Sequence, residues 1–334
     1  MEGRVDVPDA PPALSGLNGA AGSGPPVAAA APQALRRRLA IWAAAMALLA
    51  WLMMTVGAYV RASESGLGCP DWPACHGQLL AGGHHAMTEE IHRWVGTVLV
   101  VGVVGLALMI LRRYRGERRL IRPTWWMLGL LALQVVLGGV TVLLKNVSWT
   151  VVAHYGGASL LIASIALVSV RLAASSRLPP RRDSLSRLID WFAGLSYGLL
   201  LAGSTLANTD SDEVCGRSYP LCRGTLTPEL NHNVVINLTH RIWAGAMLVL
   251  ALWVYARCRR ERASQRPIVI AASVCAVLFV IQAGLGAVDA ATGGGLAIDV
   301  VHSSVASFTW LALAFLLALS RTLSLDPRPP QRAA

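Results

Sequence analysis

The chain has 334 residues, of which 54% are hydrophobic and only 14% are charged, and its mean hydropathy is +0.53. This composition excludes an ordinary soluble globular protein. The net charge of +11 would suit a nucleic-acid partner, but the arginines gather beside apolar segments, a placement typical of membrane topology, so no nucleic-acid partner is expected.

The first 38 residues are rich in Ala, Pro and Gly and predict a disordered cytoplasmic tail, 1–38. Eight apolar segments follow, each about long enough to cross a bilayer as a helix. They lie at 39–60, 89–111, 123–144, 151–171, 188–208, 233–256, 268–290 and 298–320. The sequence therefore predicts an all-α polytopic membrane protein with eight transmembrane helices.

The apolar segments fall into two halves that resemble each other. His92-Arg93 recurs 148 positions later as His240-Arg241, and His154 recurs at the same shift as His302. A Leu-Gln-x-x-Leu-Gly element at 133–138 is matched by Ile-Gln-x-x-Leu-Gly at 281–286. We therefore predict two tandem four-helix-bundle repeats, at 39–171 and 188–320, with a cytoplasmic linker at 172–187 and a cytoplasmic tail at 321–334.

Arginine is distributed unequally between the two sides of the predicted spans. It collects at 36–38, 112–122, 177–187 and 257–266, whereas the alternate loops carry only Arg61, Lys145, Arg217 and Arg223. Basic residues are enriched in cytoplasmic loops, so this pattern predicts that both termini are cytoplasmic.

Two pairs of cysteines lie in corresponding outer loops. Thiols on the outer side of a membrane oxidise, so we expect the disulfides Cys69–Cys75 and Cys215–Cys222. Bridges over such short loops add little entropic stabilisation, and both a structural role and a redox role stay open. The other two cysteines, Cys258 and Cys275, are expected to be reduced and inert.

Four histidines stand inside apolar segments, each expected within about one turn of the outer end of its helix. A histidine in hydrocarbon needs a partner, and haem iron takes two such ligands from facing helices. The alternative is that each is a satisfied core side chain. The candidates are His92, His154, His240 and His302, whereas His76, His84, His85 and His232 are expected to be surface residues of outer loops.

The two halves differ in front of their His-Arg pairs, where Glu89 corresponds to Asn237. A carboxylate one turn from a ligating histidine could move protons or stabilise positive charge, which makes Glu89 a candidate catalytic residue. Its alternative role is to sit at the start of a helix. Arg93 and Arg241 could bind haem propionates or extend to the membrane interface.

These motifs together resemble the haem A synthases, bacterial members with paired outer-loop cysteines in particular. The resemblance covers about 39–320 and rests on SGLGCPDWPACHG at 65–77, on Glu-x-x-His-Arg at 89–93 and on the Leu-Gln-x-x-Leu-Gly element. It implies an eight-helix enzyme of the bacterial cytoplasmic membrane. Such an enzyme oxidises the C8 methyl group of haem O to the formyl group of haem A.

The resemblance also implies roles for single residues. Glu89 would assist the oxidation, His92 and His154 would hold the substrate haem O, and His240 and His302 would ligate a resident haem b. Membrane lipid surrounds such a protein, haem O synthase and cytochrome oxidase assembly are its expected functional partners, and a homo-oligomer stays open. The alternatives are a membrane thiol/quinone oxidoreductase, another bis-histidine haem electron-transfer protein, or a transporter.

Overall fold

The computed structural model describes residues 33–77, 82–174 and 182–323. Apolar runs give long α-helices here, because each helix satisfies its own backbone polar groups, and α3 contains Pro123 near its start. One short 3-10 turn, Glu213–Cys215, lies in the loop before α6. The α-helices are α1 Gln33–Ala62, α2 His84–Arg113, α3 Arg118–Leu143, α4 Ser148–Ala173, α5 Ser184–Ala207, α6 His232–Glu261, α7 Arg266–Thr292 and α8 Leu296–Ser320.

Seven of the helices in the described residues are long and apolar enough to cross a membrane, namely all except α5. Helix α5 has 24 residues, and Arg187 and Asp190 interrupt its first two turns. The predicted all-α class and the multi-pass membrane protein are confirmed.

Helix α1 begins before the predicted span and takes in residues 33–38, which the sequence had placed in the tail. The reason is a contact at its first turns. The guanidinium of Arg36 donates to both carboxylate oxygens of Glu117, at 2.9 and 3.0 Å, and lies over the Tyr114 ring. The rest of the predicted tail, 1–32, and most of the second one, 324–334, lie outside the described residues.

The predicted linker at 172–187 is shortened at both of its ends by helix. Helix α4 continues to Ala173 and α5 already begins at Ser184. The Asp183 side chain accepts the backbone N–H of Ser186 at 2.9 Å, which is the usual way for an N-terminal carboxylate to start a helix. Residues 175–181 of the linker lie outside the described residues.

The helices pack as two four-membered rings. In the first bundle α1 contacts α2, α2 contacts α3, α3 contacts α4, and α4 returns to α1; α5–α8 form the second bundle in the same order. The bundles meet where α8 packs against α1 and α4, and where α4 packs against α5. Within each ring α2 and α4, or α6 and α8, stand on opposite corners and face each other across the interior.

Hydrogen bonds join the two bundles: Arg61 donates to the Ala207 carbonyl at 3.2 Å, Ser148 donates to the Asn208 carbonyl, and two indoles add further bonds. Trp310 of α8 donates to the Ser159 carbonyl at 2.7 Å, and Trp51 of α1 donates to the Ser304 carbonyl at 3.0 Å. A buried indole N–H needs such an acceptor. These two bonds join α8 to α4 and to α1, and they help to hold the two bundles side by side.

Candidate functional site

The four histidines occupy opposite corners of the two bundles. His92 lies on α2 and His154 on α4, whereas His240 lies on α6 and His302 on α8. His92 is close enough to His154 for the two rings to interact electrostatically, and His240 is likewise close to His302. The structure thus brings together the histidines as two pairs, one pair inside each bundle.

All four histidines lie deeper than the predicted single turn. His92 and His240 stand eight residues into their helices, and His154 and His302 stand six residues into theirs. At a rise of about 1.5 Å per residue, these positions are about 9 to 12 Å from the helix starts. For His92 the difference arises because α2 begins at His84, within polar sequence that hydropathy alone did not assign to a helix, whereas His240 already stood seven residues inside its predicted span.

The rings are half-buried, and three of them lack a protein hydrogen bond where one would be expected. Nδ1 of His92, His154 and His240 is fully buried with no hydrogen-bond partner in the described part of the chain. The fourth ring, His302, has the Nε2 amide of Gln282 within 3.2 and 3.3 Å of its two nitrogens. Buried polar atoms are normally satisfied, so the three unpaired nitrogens favour a role other than ordinary core packing for these rings.

The donor set fits haem better than a bare metal ion. Within residues 33–77, 82–174 and 182–323, no cluster of three or more His, Cys, Asp or Glu side chains could hold a metal. A protein-only zinc or iron site needs three or four such ligands. Two histidines from opposite helices suffice for an iron whose other four ligands belong to a porphyrin.

Glu89 is buried between the first histidine and the first disulfide loop, with only 4% of its surface exposed. Its Oε1 accepts from the Arg93 guanidinium at 2.7 Å, and its Oε2 accepts the backbone N–H of Cys69 at 2.9 Å. Helix α2 begins five residues earlier, at His84. A role at the start of the helix is therefore wrong for Glu89, because the carboxylate lies beyond the first turn.

Both arginines of the His-Arg pairs bind the loops that carry the cysteine pairs. Arg93 donates to the carbonyl oxygens of four residues of the first loop at 2.6 to 3.3 Å, those of Cys69, Asp71, Pro73 and Ala74. Arg241 donates to the carbonyls of Ser218 and Leu221 at 2.9 and 3.0 Å and lies over the Tyr219 ring. The guanidiniums thus hold the loops that precede α2 and α6, a role the sequence did not predict.

Asn237 holds the second loop from the position that Glu89 occupies in the first half. Its Nδ2 donates to the Ser211 carbonyl at 2.8 Å and to the Asp212 carbonyl at 3.3 Å. Glu89 accepts from its loop, whereas Asn237 donates to its loop. The anchoring task is common to both halves, and the difference between them is the negative charge.

Comparison with known proteins assigns the family. The model of the COX15-CtaA family, described as cytochrome oxidase assembly protein, matches residues 40–91 and 83–314. The chain belongs to this family.

Its similar relatives include proteins named haem A synthase. The one from Symbiobacterium thermophilum is 28% identical over 296 residues, which cover 84% of this chain and 95% of the relative. Those from Halalkalibacterium halodurans and Shouchella clausii are 22% and 25% identical, over 85% and 80% of this chain and 98% and 92% of the relatives. The predicted resemblance to the haem A synthases is confirmed.

This COX15-CtaA member has both of the expected disulfides, Cys69–Cys75 and Cys215–Cys222. All four bridge cysteines are at most 2% exposed. Thiol exchange requires that an attacking thiolate reach a sulfur atom, so this burial favours a structural role over a redox role. The remaining two, Cys258 and Cys275, are free and buried.

The other four histidines are exposed, as predicted, but three of them belong to helices. His84 and His85 form the first turn of α2, and His232 is the first residue of α6. His85 lies 2.9 Å from the Ser65 hydroxyl, and His76 lies 3.0 Å from the Gly68 carbonyl. Their contacts are with loop residues, and the structure does not bring them to the histidine pairs.

Gln282 is a residue of the site whose role the sequence did not reveal. Besides its contacts with the His302 ring, its amide donates to the His302 carbonyl at 3.2 Å. The signal was the repeat of the Leu-Gln-x-x-Leu-Gly element, in which the counterpart Gln134 is buried and its amide nitrogen has no hydrogen-bond partner in the described residues. Periodicity shows that these glutamines recur, but only the packing of α7 on α8 shows what Gln282 contacts.

Proposed function

We propose that this protein is a haem A synthase, which oxidises the C8 methyl group of haem O to a formyl group and so supplies haem A to terminal oxidases. The observation that carries the proposal is the pair of half-buried histidines at opposite corners of each bundle, in a COX15-CtaA chain. Relatives that cover most of this chain bear the same activity in their names.

The two histidine pairs have different tasks in this proposal. His92 and His154 hold the substrate haem O, and His240 and His302 ligate a resident haem b. The support for this order is the charge beside His92, where Glu89 stands three residues away, whereas the neutral Asn237 stands before His240. A site that performs chemistry on a carbon atom needs a group that can take protons, and a site that only transfers electrons does not.

The protein residues have definable parts in the reaction. Haem b, when bound, supplies one-electron transfer away from the substrate half. Oxidation of a methyl group releases protons, and a Glu89 carboxylate oxygen accepts one when its bond to Arg93 or to Cys69 N–H loosens. The apolar faces of α1–α4 exclude water, and His92 and His154 fix the substrate ring.

Propionate contacts of Arg93 and Arg241 belong to the proposal as a secondary part. Both guanidiniums lie at the outer ends of the bundles, beside the histidines that precede them in sequence. Each guanidinium already donates to carbonyl oxygens of its loop. A propionate would therefore be an additional acceptor for a guanidinium that the loop already holds. Contact with a propionate would then also tighten the loop.

The membrane arrangement that we propose has eight spans in two tandem halves, with both termini in the cytoplasm of a bacterial cell. Helix α5 is the eighth span. Its 24 residues are enough to cross, its Arg187 and Asp190 lie at the cytoplasmic end, and Asp190 pairs with Arg321 at 2.8 Å. Haem O synthase supplies the substrate, the product enters cytochrome oxidase assembly, and homo-oligomers are compatible with this arrangement.

Conversion of haem O tests the function. The intact protein is expressed in a cell that makes haem O but no haem A, and the extracted haems are separated by chromatography. We expect haem A with the wild-type protein and none with His92→Ala or His154→Ala. Two bound b-type haems without any haem A would instead favour the bis-histidine electron-transfer protein.

The burial of the bridge sulfurs argues against a thiol/quinone oxidoreductase, and one double variant tests this alternative. Replacing both Cys69 and Cys75 by serine removes the first bridge. A thiol oxidoreductase would lose all activity, whereas a haem A synthase keeps haem b in the second bundle. The serine variant is therefore examined for haem b as well as for product.

A further inference from the structure

Each of the four histidine rings rests against a glycine of the helix that precedes its own. A Cβ atom built on Gly57 of α1 would lie 3.1 Å from Cε1 of His92, and one on Gly138 of α3 would lie 3.3 Å from Cε1 of His154. In the second bundle, the same construction on Gly203 and Gly286 gives 3.0 Å to Cε1 of His240 and of His302. The same contact thus occurs four times.

The contact has the same geometry in every case. Cε1, which lies between the two ring nitrogens, is nearest, and Nδ1 and Nε2 follow at 3.6 to 3.9 Å from the built Cβ. The ring therefore meets the glycine with its edge, and any real Cβ would press on the atom between the nitrogens. Distances of 3.0 to 3.3 Å are shorter than ordinary van der Waals contact, so the ring or the helix would have to move.

The contact with glycine stands where most histidine ligands have an orienting hydrogen bond. A metal-ligating imidazole normally donates its second ring N–H to a carboxylate or carbonyl, and that bond fixes the orientation of the ring. Nδ1 of His92, His154 and His240 has no such acceptor in the described residues. Without that bond, steric contacts set the rotation of these three rings, and the contact with the glycine is one of them.

We infer that Gly57, Gly138, Gly203 and Gly286 are positioning residues that set the rotation of the four imidazoles about their Cβ–Cγ bonds. The inference rests on the proposed ligation of haem by these histidines. In this role the glycines act through the imidazole rings that they contact. It also explains the last position of the Leu-Gln-x-x-Leu-Gly element, because Gly138 and Gly286 are its final residues.

Close contact also occurs at other helical glycines, but with other side chains: the built Cβ of Gly198 on α5 lies 2.6 Å from Trp243, and that of Gly139 on α3 lies 3.2 Å from Trp72. Several other helical glycines of the same helices have open space where a Cβ would be added. Nothing lies within 4 Å of the built Cβ of Gly129 on α3, Gly194 on α5 or Gly284 on α7. Helices α3 and α5 thus carry glycines of both kinds, and Gly138, Gly203 and Gly286 are the ones whose close neighbour is a histidine ring.

The open glycines are matched controls for a test in the second bundle. Gly203→Ala is compared with Gly194→Ala on α5, using purified full-length protein with its haem. The measurements are haem content, retention of haem against dilution, and the electron paramagnetic resonance spectrum of the ferric low-spin haem. That spectrum reports how the two imidazole planes are oriented, which a change of helix stability alone would leave unaltered.

We expect Gly203→Ala to shift the g values and to weaken haem retention by about tenfold, in the range found for groups that orient metal ligands. Gly194→Ala should match the wild-type protein in every measurement. Wild-type g values and retention in Gly203→Ala would overturn the inference. His240→Ala separates this failure from failure of the proposed function, because an undiminished haem b in that variant would remove the ligand assignment itself.

Gly286→Ala and its neighbour Gly284→Ala repeat the test on α7 if Gly203→Ala does not fold. Gln282 also contacts the His302 ring, so the g values should shift less in Gly286→Ala than in Gly203→Ala. Misfolding of both contact variants, with both controls intact, would count against the inference, because it would make these glycines packing residues of the helices.

Discussion

Oε2 of Glu89 accepts the backbone N–H of Cys69 at 2.9 Å, so the helix that carries His92 is tied directly to the first disulfide loop. The same carboxylate binds Arg93, which in turn holds four carbonyls of that loop. A buried negative charge therefore lies between loop and histidine. The structure shows that Glu89 anchors the first disulfide loop to α2. Its part in proton transfer is a proposal.

The first prediction separates the two tasks of Glu89. Glutamine keeps an acceptor for the Cys69 N–H but removes the negative charge. We expect Glu89→Gln to fold, to keep haem b and to accumulate haem O or its hydroxylated intermediate, with haem A reduced at least about tenfold, as for loss of a general base. Chromatography of the extracted haems measures the ratio.

The comparison for this variant is Glu89→Ala, which removes the acceptor as well. The loop should loosen in Glu89→Ala and stay held in Glu89→Gln, as measured by the rate at which a water-soluble phosphine reduces Cys69–Cys75. Wild-type haem A output from Glu89→Gln would leave anchoring as the whole role of the residue.

The second prediction concerns the unequal cost of removing the two arginines. Arg93→Ala leaves the Glu89 carboxylate buried without its ion-pair partner, which typically costs about 3 to 5 kcal/mol. Arg241→Ala breaks bonds to neutral carbonyls, for which about 1.5 to 3 kcal/mol is usual. Thermal unfolding in detergent should therefore show the larger loss for Arg93→Ala.

A double variant checks the reason for that difference. Adding Glu89→Gln to Arg93→Ala removes the uncompensated charge and should recover part of the lost stability. No recovery in the double variant, or equal losses in the two single variants, would mean that the buried charge does not determine the cost.

Much of the helical framework could be predicted from hydropathy, whereas the helix ends could not. Each apolar run became a helix, but the helices continue into polar sequence wherever a partner is available. Helix α1 takes in Arg36, whose guanidinium forms an ion pair with Glu117. Helix α2 begins at His84, before its predicted start. Hydropathy measures how favourably a segment transfers to lipid, and it cannot predict contacts between polar side chains.

The histidine pairs could be predicted from the sequence because they recur at a fixed spacing. The residues that surround them could not be predicted in this way. Gly203 and Gly194 look alike in an apolar run, yet one meets His240 and the other meets nothing within 4 Å. The contacts of Arg93 with loop carbonyls could likewise not be predicted, because every residue type has a backbone carbonyl. Contacts of this kind depend on how α5, α6 and the loops pack in three dimensions.

The third prediction uses the burial of all six cysteines. A membrane-permeant maleimide should label none of them in the folded protein, because the bridged four and the free Cys258 and Cys275 are all at most 2% exposed. After denaturation without reductant it should label two, and after reduction all six. Labelling of Cys69 or Cys75 in folded, unreduced protein would contradict the structural role of the bridge.

The fourth prediction is a pH dependence of the first loop. The backbone N–H of Gly77, and then that of His76, lowers the pKa of Asp71 below its ordinary value of 3.8. A lowered carboxyl pKa stabilises the folded loop above the ordinary value and loses this effect as the pH falls through the folded pKa.

The rate of phosphine reduction of Cys69–Cys75 should therefore be flat from about pH 5 to 8, after correction for the phosphine, and rise below about pH 3.8. Asp71→Asn should show a faster rate at neutral pH and no further acid increase. An acid increase that persists in Asp71→Asn would assign the effect to another group.

The central claim is that opposite histidines in each bundle hold haem, and a reduced-minus-oxidised optical spectrum of the purified protein tests it most directly. The wild-type protein should show a low-spin haem b signal that disappears in His240→Ala and in His302→Ala. His92→Ala and His154→Ala should keep that signal and lose only the capacity to bind added haem O. Undiminished haem b absorbance in both His240→Ala and His302→Ala would contradict the claim.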